Sequence, residues 1–279
     1  RPHMISVLSS LLFIHWDVDP TAFTIPFIDW PVRWYGILFV FGLLVSEYVL
    51  FYIFEKDGKT KKNVEDLAVY VVVGTIVGAR LGHVLFYDAA DYLQNPLDIL
   101  KIWEGGLASH GGAIGILTAI VLYCRKYKFD FLWVMDRLVI VVCFTGACIR
   151  VGNLMNSEIL GTITDLPWGF YFENAYPQFL AQDPRHPAQL YEAIYCIVLM
   201  GITYWLWKEK RDQLKNGFIF GVFMVILFTL RFLDEFLKIN QEAFENDLPI
   251  NMGQILSIPF VIAGLYLIFR PKPTNVSQT

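Results

Sequence analysis

The sequence predicts an all-α integral membrane protein of about seven transmembrane helices, its N-terminus outside and its C-terminus cytoplasmic. Of its 279 residues, 56% are hydrophobic and 17% charged, with a mean hydropathy of +0.48. A soluble domain carries about 45–50% apolar and 25% charged residues. Apolar stretches long enough to cross roughly 30 Å of hydrocarbon recur along the chain. Lysine and arginine concentrate in alternate connections between them, which is the pattern of cytoplasmic loops.

The spans fall at 34–54, 67–87, 106–124, 133–152, 188–207, 217–237 and 253–269. Lys56, Lys59, Lys61 and Lys62 follow the first, Arg125, Lys126 and Lys128 the third, Lys208, Lys210, Arg211 and Lys215 the fifth, and Arg270 and Lys272 the last. The alternate loops offer only Lys101, Arg185 and Lys238. Residues 1–33 read as an outer, interfacial segment, with 1–3 an expression remnant ahead of Met4 and an apolar patch at Val7 to Ile14 too short to span. A single transmembrane domain covers 34–270, and 271–279 form a cytoplasmic tail. Between the fourth and fifth spans, residues 153–187 form a long outer loop, and loops of that length are usually functional or disordered. Its Trp168, Phe170, Tyr171, Phe172 and Tyr176 argue for a folded cap on the membrane surface.

Small residues and cysteines read as packing. Gly74, Gly78 and Gly82, and again Gly111 and Gly115, are spaced by four and suit close helix approach. Cys124, Cys143, Cys148 and Cys196 lie in or beside apolar runs, and no CxxC or Cys/His cluster suggests a metal.

Polar groups inside the spans are the functional signal, because an ionisable residue at membrane depth costs roughly 2.5–3.5 kcal/mol or more. With the topology above, Tyr35, Arg80, His83, His110, Arg150, Asn153, Asn156, Glu158, His186, Gln189, Tyr191, Glu192, Arg231, Glu235 and Gln254 fall at the outer ends of their helices. Ser46 and Glu47 lie deeper and read as structural hydrogen-bonding groups. Arginine is always charged and presents a planar fork of donors suited to phosphate oxygens. Arg80, Arg150 and Arg231 therefore point to an anionic headgroup. If the fourth helix runs on past Arg150, Asn153 and Ser157 share its face at i+3 and i+7. An ion pair from Arg150 to Glu158 or Glu192, joining two helices, is the structural alternative and coexists with ligand binding. His110, beside Gly111 and Gly112, reads either as a general base or as a packing residue. His83 reads as packing, and Tyr35 as either an aromatic-belt residue or part of the site. Two classes compete on these residues: an enzyme acting on a lipid of the outer leaflet, and a transporter or channel for an anionic solute. Transporters carry internal repeats and polar groups along a path to both faces. Here no repeat is evident, and the polar groups stop in the outer half.

Six segments also carry a family resemblance. In order, Arg33-Trp-Tyr35-Gly, Gly78-Ala-Arg80-Leu-Gly82, Gly105-Gly106-Leu-Ala-Ser-His110-Gly111-Gly112, Arg150-Val-Gly152-Asn153-Leu-Met-Asn156-Ser-Glu158, Arg185-His186-Pro187-Ala-Gln189-Leu-Tyr191-Glu192 and Met252-Gly253-Gln254-Ile-Leu-Ser257 resemble the motifs of the bacterial phosphatidylglycerol:prolipoprotein diacylglyceryl transferases. The resemblance covers about Arg33 to Arg270. It implies a multi-pass protein of the bacterial cytoplasmic (inner) membrane with its site toward the outer leaflet. The implied reaction is the first step of lipoprotein maturation: transfer of the diacylglyceryl group of phosphatidylglycerol to the lipobox cysteine of a prolipoprotein, releasing glycerol 1-phosphate. The implied partners are phosphatidylglycerol, the signal-peptide and lipobox region of the prolipoprotein, and the bilayer, with no nucleic acid, metal or cofactor. It implies catalytic roles for His110, Arg150 and Arg231. Tyr35, Arg80, Asn153, Asn156, Glu158, Gly161, His186, Gln189 and Glu192 fall to substrate binding or site integrity. The chain departs from the family pattern at Leu227, where a tyrosine is common, and at Ala79, His83, Ser109 and Ser157, where glycine, tyrosine, phenylalanine and glycine are common.

Overall fold

A computed structural model of the protein describes residues 13–86, 92, 95–101, 108–239 and 250–271. Residues 1–3, read above as an expression remnant, most of the Val7 to Ile14 patch, Gly105-Gly106 and the tail after residue 271 lie outside the described residues. Among the described residues, seven long helices follow the seven expected spans: α1 (Trp34–Lys56), α2 (Lys61–Phe86), α3 (Ser109–Tyr127), α4 (Phe131–Met155), α5 (Ala188–Lys210), α6 (Phe218–Asp234) and α7 (Met252–Phe269). Five of them, α1, α2, α4, α5 and α7, are long and apolar enough to cross a membrane, while α3 and α6 are 19 and 17 residues long. Large apolar side chains stay exposed along the helices, Leu44 at 61%, Val198 at 56% and Tyr266 at 68%. Water does not tolerate such continuous apolar surface, and lipid does. The architecture is that of an all-α integral membrane protein.

Helix limits come from local chemistry. Gly58, at φ +70°, follows α1, and Thr60 and Asn63 exchange side-chain and backbone hydrogen bonds at the start of α2. Lys128, at φ +55°, closes α3, and the Asp130 carboxylate accepts from the Trp133 N–H at the start of α4. Asn251 and Gln254 form a capping box that opens α7.

The chain divides into two compact units, one of residues 47–135 and one of residues 1–46 with 136–279. In the first, α2 and α3 pack backbone to backbone. A Cβ added at Gly82 would sit 2.7 Å from Gly111 Cα, and one at Gly74 would sit 2.7 Å from the Gly115 carbonyl oxygen. The four-residue glycine spacing is thus a packing device, as its small faces suggest. The Ala108 N–H donates to the Ala79 carbonyl at 2.9 Å, so the start of α3 and the end of α2 share one end of this pair.

In the second unit, α1 lies on α4 where Gly42 meets Cys148, and the Ser46 hydroxyl bonds the Val141 carbonyl at 3.0 Å and Thr145 at 2.8 Å. The Asp136 carboxylate of α4 accepts from the Gly217 and Phe220 N–H groups, satisfying the start of α6 from a distance. Gly221 and Gly264 let α6 and α7 meet closely. The four cysteines are free and buried.

The 153–187 segment is a folded cap. Its strand β4 (Phe170–Phe172) pairs in parallel with β1 (Ile14–Trp16), Ile14 opposite Phe170. Phe170, Phe172, Leu154, Leu160 and Ala175 form its apolar core, against which Trp16 packs. The end of the patch read as interfacial is therefore a strand of the cap. A hairpin of β2 (Thr21–Ile25) and β3 (Trp30–Arg33) leads directly into α1. These short strands are the part of the fold that helical hydropathy cannot show.

Candidate active site

The end of α4 sets the site. After Met155 the chain leaves the helix through Ser157 at φ +51°, in the left-handed region. The Ser157 N–H donates to the Leu154 carbonyl at 3.0 Å and the Glu158 N–H to the Asn153 carbonyl at 3.1 Å. These two bonds make a Schellman cap, whose left-handed position favours glycine. The cap turns Glu158 back over the last helical turn, where its carboxylate accepts from Asn153 Nδ2 at 2.7 Å and Asn156 Nδ2 at 3.2 Å. The spacing Arg150, Asn153, Asn156, Glu158 is therefore the footprint of a helix end whose polar groups bind one another. Asn153 does face Arg150, accepting from Nη1 at 3.3 Å. Ser157 does not share that face, because the helix has already ended. Its hydroxyl is buried without a partner among the described residues.

From Arg150 a chain of charges crosses three helices. Arg150 Nε bonds the Glu192 carboxylate of α5, whose other oxygen bonds Lys238 Nζ. Lys238 also meets Asp234 at 3.1 Å and Glu235 at 3.3 Å. Glu235 accepts from Asn251 Nδ2 at 3.0 Å and lies 3.9 Å from Arg231 Nε. Glu192 is 3% exposed and Lys238 7%. Burial by itself would lower the Lys238 ammonium, but Glu192, Asp234 and Glu235 around it hold it above its ordinary range. The helix-joining role weighed for Arg150 is thus present, with Glu192 as the partner. Two donors remain: among the described residues, Arg150 Nη2 makes no bond, and Arg231, with a side chain 41% exposed, has only the long contact to Glu235.

Asp234 and Lys238 are the residues that sequence reasoning left out of the site. Their signal was available, since Arg231, Asp234, Glu235 and Lys238 are spaced i, i+3, i+4 and i+7, one face of a helix continued by one turn. By the loop-charge pattern alone Lys238 is only a charge in an outer connection.

Gly161 and Gly152 are places of close approach. A Cβ at Gly161 would sit 2.5 Å from His186 Cβ and 2.9 Å from the Leu237 carbonyl oxygen. The strand-like bonds Gly161 N–H to His186 and Thr162 N–H to Leu237 fix the segment that delivers Lys238. A Cβ at Gly152 would sit 2.8 Å from the Tyr35 ring. Tyr35 is thereby held beside the last turn of α4, two residues from Arg150 in sequence. Gln189 is fully buried and its amide nitrogen donates to the Glu158 carbonyl, while its Oε1 is unpartnered among the described residues.

His186 precedes α5 and contacts Tyr191, Nδ1 to hydroxyl, at 3.1 Å. Trp168 Nε1 reaches the same hydroxyl at 2.9 Å. Indole N–H only donates, so the tyrosine oxygen accepts from Trp168, and the same hydroxyl shares a hydrogen bond with the imidazole of His186. Burial lowers its pKa below the usual histidine value. Leu227, where a tyrosine is common in the family, packs on Ala147, Ala193 and Cys196.

In the other unit, Arg80 is 4% exposed and its Nε and Nη2 donate to the carbonyls of Ile99 at 2.9 Å and Asp98 at 2.6 Å. Its guanidinium also lies 5.0 Å from the Tyr92 ring centre. These contacts hold the 96–101 segment. His83 meets Tyr92 edge to face at 6.3 Å, in keeping with its packing reading. His110 stands exposed in the first turn of α3, beside the close contact of Gly82 and Gly111.

The sequence matches the family model described as prolipoprotein diacylglyceryl transferase over residues 20–270. Among curated relatives, the phosphatidylglycerol--prolipoprotein diacylglyceryl transferase of Porphyromonas gingivalis is 46% identical over 277 residues, 95% of this chain and 97% of the relative. The proteins of the same name from Tolumonas auensis and Chloroherpeton thalassium are 43% and 42% identical, covering 91% and 96% of this chain and 96% and 98% of theirs. Matched along nearly its whole length, the chain belongs to the prolipoprotein diacylglyceryl transferase family.

Proposed function

We propose that this protein transfers the diacylglyceryl group of phosphatidylglycerol to the lipobox cysteine of a prolipoprotein at the outer face of the bacterial cytoplasmic membrane. The observation that supports this best is the pair of arginines on the charged network. Arg150 and Arg231 retain guanidinium donors while their positions are set by carboxylates.

The reaction forms one bond and breaks one. The cysteine sulfur attacks the glyceryl carbon that bears the phosphate, the carbon–oxygen bond breaks, and glycerol 1-phosphate leaves with the bond's electron pair. The thiol proton must be removed, since the thiolate is the nucleophile and a free thiol has a pKa of about 8.5. His110 takes that proton in our reading, on the strength of its motif match and its exposed imidazole. Arg150 and Arg231 bind the phosphodiester and offset the charge that grows on the departing oxygen, the kind of electrostatic help that is usually the largest catalytic contribution. Glu192, Asn153 and Glu158 aim Arg150. Lys238 and Glu235 hold the end of α6 that carries Arg231. Tyr35, Asn156, Gly161, His186 and Gln189 shape the surrounding wall, and Arg80 keeps the 96–101 segment in place. The N-terminus outside and C-terminus inside follow from the loop charges.

The test is reconstitution of the purified chain in phosphatidylglycerol vesicles with a lipobox peptide or its cysteine-to-serine counterpart. Glycerol phosphate release with the cysteine peptide alone is the expected result. Equal release with both peptides would replace the transferase with a phospholipase. For His110→Asn the expected result is lost turnover at neutral pH that recovers as pH rises toward the thiol pKa, and an unchanged rate would remove His110 as the base.

A further inference from the structure

The pair α2 and α3 carries a feature that the reaction chemistry does not use: an open apolar trough of about 600 Å³. One bank is the row Val69, Val73, Val77, Leu81 and Leu85, each four residues after the last. The other bank is Ile114, Thr118 and Leu122, again spaced by four. Between them the glycine contacts leave a floor almost without side chains. Only Tyr70 and Thr118 among the lining residues carry a polar side-chain atom, and the Thr118 hydroxyl is spent on the Ile114 carbonyl at 2.8 Å. The sixteen steps from Val69 to Leu85 give a length of about 24 Å at 1.5 Å per residue.

We infer that this trough receives the apolar helix of the prolipoprotein signal peptide and so delivers the lipobox cysteine to His110. The inference rests on the transferase reading above and identifies where that reaction's protein substrate lies. Three observations support the occupant. The apolar core of a signal peptide is 7–15 residues, about 10–22 Å as a helix, which the trough accommodates end to end. Two parallel i±4 ridges flanking a low floor are the surface into which an i±4 ridge of another helix packs, and glycines permit the close approach. One end of the trough is lined by Gly82 and Gly111, and Gly111 follows His110 directly, so a residue just beyond the apolar helix arrives at that imidazole.

The experiment compares two peptides with the same lipobox cysteine, one with a 12-residue apolar helix before it and one cut back to the lipobox, both in phosphatidylglycerol nanodiscs. Val77→Trp fills the middle of the trough from a half-exposed position, and Ile76→Trp, also lipid-exposed but outside the lining, is the control. Val77→Trp should raise KM for the long peptide about tenfold, in the range by which pocket shape discriminates apolar groups, with kcat and the short-peptide KM unchanged. Ile76→Trp should change neither. A photoreactive group midway along the apolar helix should cross-link to the Ile114 to Leu122 stretch. Equal KM shifts for both peptides, or none for the long one, would overturn the docking. So would cross-links from a photoreactive phosphatidylglycerol acyl chain, or from a second copy of the chain, occupying the same stretch in competition with the long peptide. If the short peptide turns over and the long-peptide effect is missing, the docking alone falls. If neither peptide turns over, the transferase reading falls and takes the docking with it.

Discussion

Replacing Lys238 with methionine removes the single ammonium that contacts Glu192, Asp234 and Glu235. Methionine keeps much of the volume, so the loss is electrostatic. Lys238, Glu192 and Asp234 are each no more than 7% exposed, and water cannot take over the departed contacts. Breaking a buried ion pair by deleting one partner costs about 3–5 kcal/mol, because the remaining charge is left desolvated. At about 2–4 °C per kcal/mol for a chain of this size, the melting temperature should fall on the order of 10 °C. Arg150 remains on Glu192, which places the effect toward the lower end of that range. The coupling is measurable by a double-mutant cycle: Lys238→Met with Glu192→Gln should recover part of the loss, because one stranded carboxylate becomes neutral. Thermal unfolding in detergent, followed by near-UV circular dichroism, reads all three variants. A Lys238→Met protein as stable as the parent, or a double variant showing simple additivity, would refute the network as a stabilising unit.

Arg150→Lys should lose most transferase activity at unchanged fold, because an ammonium cannot hold Glu192, Asn153 and a phosphate oxygen with one planar fork; turnover close to the parent's would defeat the phosphate role. Ser157→Gly should stabilise the protein by about 1 kcal/mol, since a left-handed L-residue costs roughly 1–2 kcal/mol and glycine returns part of that as chain entropy. A lower melting temperature would show that the serine hydroxyl matters more than the backbone. His186 supplies a pH dependence whose sign is set by its depressed pKa. Between that value and about 6.5 the unfolded chain binds the proton and the folded chain does not, so stability rises with pH there and falls as pH drops through the window. His186→Gln should flatten this slope in melting temperatures measured from pH 7.5 to 5, and an unaltered slope would exonerate His186.

The helices were legible because the bilayer enforces long apolar runs and loop charge marks their ends. Each of α1 to α7 overlaps its expected span, with α2 beginning six residues earlier, at Lys61 instead of residue 67. That first turn is polar, and hydropathy does not see a helix that extends into the interface. The cap was legible only as a folded loop. The pairing of Ile14 with Phe170 joins segments far apart in sequence, and three-residue strands leave no periodicity to read. In the site, Arg150, Asn153 and Glu158 stood out as polar groups ending an apolar run. Ser157 shares the Arg150 face only if α4 runs on, and the glycine common at that position in the family is the one sequence sign that the helix ends there in a left-handed cap. Lys238 was hidden by its position after α6, where a lysine ordinarily faces water, whereas Gly161 and Glu192 bring it inside. Of the three arginines read together as an anion site, Arg80 bonds the carbonyls of Asp98 and Ile99, while Arg150 and Arg231 lie on carboxylates of α5 and of the end of α6.

The transfer joins two substrates, so it is tested by counting both products in one vessel. The chain is reconstituted with phosphatidylglycerol labelled in both the acyl chains and the terminal glycerol, and a lipobox peptide is added. Intact-mass spectrometry then measures diacylglyceryl-modified peptide while released glycerol phosphate is quantified. Equal amounts of the two are expected, with the lipid on the cysteine through a thioether stable to neutral hydroxylamine. Glycerol phosphate released without modified peptide would contradict it, as would an acyl thioester in place of the thioether.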